Sequence, residues 1–348
     1  MNIVKVKIIT LANSGNPKHS SRLEDAINRF IEENNIEVID IKYSCTAYPT
    51  TNGGHWTPSA LILYRPLKPG KTSSTDHLLS MMHQTAMEEK ITLTLKDSTK
   101  VSESEFDFRE DLTDVVIPDG VTEICAGAFC DCLNMRSVVI PNSVTKIGDS
   151  AFSGCSALET VVIPDSVTEI GRMAFSECRA LTSVKLPSAL AEIAFSAFSE
   201  CTAIKEIVIP NSVVKIDTMA FARCEQLQRI EIPDSVVTIA DYAFYHCKAA
   251  ETISIGNAVK EIGGNAFNNC SSLQSIILPK SLQVLESGAI ADCKSLKTVE
   301  FLSFPDNLDT GSIQCNDNLE TIFVPRRTIW KFARLNWSYD ISLKFKER

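Results

Sequence analysis

Residues 138–158 read VVIPNSVTKIGDSAFSGCSAL, and residues 161–181 read VVIPDSVTEIGRMAFSECRAL. This is one phrase written twice, with the second copy displaced by 23 residues. The displacement governs independent columns across about 210 residues with no insertion. Prolines stand at Pro118, Pro141, Pro164, Pro187, Pro210, Pro233, Pro279 and Pro325, with Gly256 and Leu302 filling the two gaps. Phenylalanines run from Phe129 through Phe152, Phe175, Phe198, Phe221 and Phe244 to Phe267, and Ile290 and Ile313 follow in register. Cys132, Cys155, Cys178, Cys201, Cys224, Cys247, Cys270 and Cys293 keep the same step. A period of this length means one supersecondary unit stacked many times, because a 23-residue unit cannot bury its apolar faces alone.

The unit can be written L-x-x-[IV]-x-[IVL]-P-x-x-[VL]-x-x-[IL]-x-x-x-A-F-x-x-C. In the copy starting at Leu158, Val161 and Ile163 alternate as a short strand with Val162 on the opposite face. Pro164 ends the strand, since it cannot donate to a ladder, and Asp165-Ser166 supplies a turn. Val167 and Ile170 form a second inward pair before Ala174-Phe175 turns the chain back. Ten such strand positions, centred on residues 115 to 324 at about 4.8 Å per strand, predict one parallel sheet roughly 45 Å long.

This pattern, from about residue 112 to 325, resembles the BspA-like leucine-rich repeat family. The resemblance implies a right-handed solenoid that binds proteins or surfaces and carries no catalysis, often in bacteria. Many relatives resemble secreted or surface-attached adhesins.

The expected organisation is α/β: a small βαββ domain at 1–66, a linker with a helix at 67–90, an N-terminal cap at 91–111, the leucine-rich-repeat solenoid at 112–325 and a C-terminal cap at 326–348. In the first block Val4, Val6, Ile8 and Thr10 alternate as a strand. Leu23, Ile27, Phe30 and Ile31 have helical spacing behind an N-cap at Ser20 or Ser21. IEVIDIKYSC and SALILYRPL are two further strands. With its lysine-rich first strand, INRFI-type helix and ALILY-type last strand, this block resembles a small bacterial domain of sporulation-associated proteins. Pro66, Pro69 and Gly70 mark the linker, and TDHLLSMMHQTAMEEK is its helix. ITLTLKDSTKVSESEFDFRED alternates Ile91, Leu93 and Leu95, then Val101, Phe106 and Phe108, and is expected to cap the array outside the repeat columns. At the other end Pro305 and Asn316 replace column residues and Cys315 falls one place off register. Ile329, Phe332, Ala333 and Trp337 then suit a capping helix, although a basic aromatic helix also suits an anionic membrane or partner.

Charge is distributed unevenly over a chain of net charge −9. Basic and acidic residues number 10 and 9 in 1–90, 17 and 32 in 91–324, and 7 and 2 in 325–348. The acidic middle argues against nucleic acid as a partner. No stretch is long and apolar enough to span a bilayer, and the N-terminus lacks a secretory pattern, so a cytoplasmic location is expected, with the cell surface implied by the family resemblance.

Catalytic, metal and cofactor sites are not expected. His77 and His83 lie on different faces of one helix. Cys125 and Cys130 occupy columns held elsewhere by Gly148 and Ser153, which argues against zinc with Cys132. The cysteine column is expected to be reduced and buried. No nucleophile has a histidine in step with it. One ligand loop is a candidate, formed by Gly53, Gly54, His55 and Trp56, but it lacks phosphate-loop context and reads as a hairpin loop. Function is therefore expected on the outward strand positions: Val116, Val139, Val162, Lys185, Val208, Glu231, Ser254, Ile277, Glu300 and Phe323. Six of these ten are apolar, and Arg136, Glu159, Lys205, Arg229, Glu251 and Glu320 flank them with varied charge. The expected function is non-catalytic binding of a protein or peptide. The alternatives are ligand sensing or enzymatic activity in the N-terminal domain, and surface adhesion.

Overall fold

The computed structural model describes residues 5–10, 36–48, 55–66, 90–93, 95 and 98–348, with side chains at 93, 95 and 98–348. The chain divides into two compact units, 1–91 and 92–348.

In the first unit, β1 (Lys5–Thr10), β2 (Ile36–Tyr48) and β3 (His55–Pro66) form an antiparallel sheet in the order β1-β3-β2. All three expected strands are present, and two are longer than their apolar cores suggested. His55 pairs with Tyr48 and Trp56 with Ala47, so both residues lie in the ladder and not in a loop. This corrects the loop reading: the antiparallel pairing carries on past the apolar stretch. Gly53 and Gly54, the helix over 20–35 and most of the linker helix lie outside the described residues.

In the second unit each turn follows one plan. Thr160–Val162 is a strand with Val161 buried and Val162 outward. The Pro164 carbonyl accepts the Val167 N–H (3.0 Å) across the turn. A second short strand, Glu169–Ile170, turns Ile170 inward. That second ladder was not legible beforehand, because a two-residue strand carries no alternation to read. On the remaining side the Phe175 N–H donates to the Ala197 carbonyl (2.9 Å) and the Phe152 N–H to that of Ala174 (2.8 Å). Neighbouring turns of this parallel β-solenoid are thus bonded on three sides.

Two positions per turn have left-handed backbone, and most are not glycine. One column includes Ser150, Met173, Ser196, Met219 and Tyr242, and the other includes Asp131, Glu177, Glu200, Arg223 and His246. Left-handed backbone costs an L-residue roughly 1–2 kcal/mol. Here it aims an N–H at the next turn, as from Glu177 to the Ser199 carbonyl (2.7 Å) and from Ser150 to that of Arg172 (2.8 Å).

The core is built from columns. Phe106, Phe129, Phe152, Phe175, Phe198, Phe221, Phe244 and Phe267 stack face to face, with centroids 5.2–5.6 Å apart and planes within 14° of parallel. Beside them, each ladder thiol donates to the carbonyl of the phenylalanine one turn back: Cys155 to Phe129 (3.1 Å), Cys201 to Phe175 (3.0 Å) and Cys224 to Phe198 (3.2 Å). Cysteine is the small apolar side chain that also offers a weak donor there. Asn316 keeps that bond where cysteine stops. Its amide donates to the Ile290 carbonyl (2.7 Å) and accepts the Cys293 N–H (2.8 Å).

Two expectations are corrected. The segment before residue 112 does not lie outside the columns. Val101 is in register with Ile124, and Phe106 stacks on Phe129, so this acidic stretch is a turn of the array whose polar residues hide its period. Nor is the outer sheet continuous. Among the described residues Glu206–Val208 forms no ladder strand, and none joins Thr252–Ile255 to Ser275–Leu278. The second ladder also opens between Glu169–Ile170 and Glu192–Ile193.

The C-terminal segment closes the last turn. Phe345–Glu347 pairs in parallel with Thr321–Val324. Short helices at Ile329–Ala333 and Tyr339–Ser342 bury Phe332 and Ile341, and Trp337 is buried in the segment that connects them. Phe332 packs against Phe301 (5.0 Å) and Phe304 (4.9 Å), and the Trp337 indole N–H donates to its carbonyl (2.9 Å).

Candidate interaction surface

The inward residue of each strand belongs to the core, so its neighbour must face out. Parallel register then aligns these outward side chains into rows. Val116, Val139, Val162 and Lys185 are directly paired, Glu231 pairs with Ser254, and Ile277, Glu300 and Phe323 form a third group. Val208 stands on the unladdered rung between the first two groups.

Exposure separates these positions. Val139 is 43% exposed, Val162 65%, Val208 81% and Ile277 52%. Val116 is half-buried. Phe323 is half-buried as well, since the Arg348 guanidinium lies over its ring (5.3 Å) and bonds Glu300 (2.6 Å). The end of the row that the sequence offered as open is therefore partly covered by the last residue of the chain. Lys185 reaches Asp165 (3.2 Å), and Arg229 reaches Glu231 (3.3 Å). Arg136, Glu159, Lys205, Arg229, Glu251 and Glu320 are exposed, as the strand period requires.

Candidate chemistry elsewhere resolves into packing. The Cys130 thiol donates to Asp131 (3.5 Å), and burial together with that carboxylate raises its pKa to about 11. Cys132 instead points to the Phe106 carbonyl (3.0 Å). Burial pushes the thiols of Cys201, Cys224, Cys247 and Cys270 well up, and that of Cys293 to about 12, which leaves them protonated and unreactive. His246 lies against Asn269 (3.1 Å), its pKa lowered by burial and by Arg223. Among the described residues no group of three His, Cys, Asp or Glu side chains converges as a metal site. No helix among them is long and apolar enough to cross a membrane.

The family model for the BspA type leucine rich repeat region matches residues 99–228 and 191–322 in six copies. The chain belongs to the BspA-type leucine-rich repeat family. The match begins at residue 99, in the turn of Val101 and Phe106. Solved structures similar to this BspA-type chain include a leucine-rich cell surface protein of Faecalibacterium prausnitzii, 27% identical over 70% of this chain and 74% of that one, with a TM-score of 0.44. A T. pallidum leucine-rich repeat protein is 31% identical over 53% of this chain and 82% of that one, at 0.43. A Bacteroides ovatus leucine-rich repeat protein is 21% identical over 90% and 99%, at 0.28. No curated protein matches the chain.

Proposed function

We propose that the protein is a non-catalytic binding module whose outer strand row takes a protein or peptide partner. The observation that carries this reading is the exposure of Val162. If valines on a flat sheet merely shielded one another, Val162 would be covered by Val139 on one side and Lys185 on the other, yet it stays 65% exposed. With Val139 and Val208 it gives a band of rigid β-branched side chains on a stacked scaffold, with charges along its margin that set orientation. Such a surface loses little conformational entropy on binding.

The test is affinity capture with the full chain, quantified by mass spectrometry. Val162→Asp with Val208→Asp places two charges in the band and is expected to weaken partner capture on the order of 100-fold or more. Thr238→Asp on the second ladder serves as the control and should leave capture intact. Equal capture by wild type and both variants would remove the sheet row as the binding surface.

A further inference from the structure

The C-terminal cap has a second side that the array does not use. Phe332, Trp337 and Ile341 point into the core, whereas Trp330 is 51% exposed, Tyr339 81% and Leu343 68%. Tyr339 and Leu343 are four residues apart on a short helix and so share the face opposite Ile341. Trp330 is fixed in place: its indole N–H donates to the Arg327 carbonyl (2.9 Å), and the Arg334 guanidinium lies over its ring (4.9 Å) with the Lys331 ammonium farther out (5.9 Å). Lys331 also sits over Phe304 (5.4 Å).

The charges beside that indole have no carboxylate partner. In the array Lys146, Lys185, Lys215, Lys248, Arg179 and Arg229 each reach a carboxylate, while Arg136, Lys205 and Lys280 among others do not. Among the described residues, Arg326, Arg327, Lys331 and Arg334 form no ion pair. The two acids of residues 325–348 are engaged elsewhere: Glu347 accepts the Ile329 N–H (3.3 Å), and Asp340 is held ionised by the Ser338 hydroxyl. A chain of net charge −9 thus has, in residues 325–348, seven bases and two acids, with two of the bases, Lys331 and Arg334, lying over an exposed tryptophan.

We infer that the exposed aromatic, aliphatic and basic side chains of the cap dock it on an anionic lipid surface. Unpaired bases attract acidic headgroups, and amphipathic Trp and Tyr rings with an aliphatic neighbour suit the zone between headgroups and acyl chains. A soluble polyanion would use the charges and gain nothing from Tyr339 or Leu343. The more distant acidic turns do not cancel the attraction, because salt screens charges beyond about 8–10 Å.

The experiment uses the full chain with vesicles of phosphatidylglycerol and phosphatidylcholine, against phosphatidylcholine alone, in co-sedimentation. Binding is expected on the acidic vesicles only and should fall as salt rises. Arg327→Gln, Lys331→Gln and Arg334→Gln together should lower partitioning on the order of 100-fold, at about fivefold per charge. Tyr339→Ser with Leu343→Ser keeps every charge and should also weaken binding. All five are exposed side chains, and circular dichroism checks that the fold is kept. Brominated acyl chains should quench tryptophan emission in wild type, and Trp330→Phe should remove that quenching. Equal binding to neutral vesicles, unchanged partitioning of the triple variant, or acidic-vesicle binding without quenching would each overturn the assignment. The last of these would mark a site for polyanions instead.

Discussion

The array and its C-terminal cap both keep water from an apolar face, and they do it differently. In the array the core side chains recur in columns from one turn to the next. Phenylalanine lies on phenylalanine, and a thiol meets the phenylalanine carbonyl of the turn before. In the cap nothing repeats, and one ring, Phe332, is held by Phe301, Phe304 and Phe345. Repetition spreads stability over many equivalent contacts, whereas closure concentrates it in a few. The two regions should therefore respond differently to the same perturbation.

Alkaline pH should separate them most. The array holds the raised thiols of Cys201, Cys224, Cys247, Cys270 and Cys293, and the cap holds none. An unfolded thiol titrates near pH ~8.5, so above that value the unfolded chain releases protons that the folded chain retains. Stability is unaffected below about pH 8.5 and falls as pH rises toward about 12, by up to about 1.4 kcal/mol per pH unit for each thiol. Urea unfolding at about pH 8 and about pH 10 measures this. A midpoint that does not move would mean the thiols are not buried as the columns require.

Single-ring deletions should sharpen the contrast. Phe198→Ala and Phe332→Ala are each expected to cost about 3–5 kcal/mol. Hydrogen exchange should place the first loss on turns to both sides of residue 198 and confine the second to the final turns. If both variants lost protection evenly along the whole unit, the nearest-neighbour picture would be wrong.

The smallest effect concerns backbone strain, which both regions carry. Ser150 in the array (φ 52°) and Arg327 in the cap (φ 65°) are left-handed. Ser150→Gly and Arg327→Gly should each raise stability by a few tenths to about 1 kcal/mol, the relief being reduced by the greater freedom of glycine in the unfolded chain. A clear loss in thermal unfolding would show that the side chain, not the backbone angle, matters at that position.

Some of the surface was legible early. Alternation about Val161 assigned Val162 to the outside, because a strand leaves no other choice once its neighbour is buried. The partial covering of Phe323 was not legible, since Arg348 lies 25 positions away and arrives through the closing strand. The left-handed columns were hidden because Ser, Met, Glu and Tyr occupy places where a reader expects glycine. The turn of Val101 and Phe106 was hidden because Ser98, Glu105 and Arg109 stand in columns that hold Val121, Ala128 and Cys132 one turn later.

The sequence alone determined the stack: a 23-residue period held in the proline, phenylalanine and cysteine columns admits no arrangement that leaves equivalent residues in unequal places. It could not determine how tightly each pair of turns closes. That depends on how each pair of turns packs in three dimensions, which columns shared by every turn do not distinguish. It also left the cap unsettled between sealing the core and meeting an outside surface. Only the folded chain assigned Phe332 and Ile341 to one side and Trp330 and Tyr339 to the other, because the two short helices take their orientation from the turn they pack against.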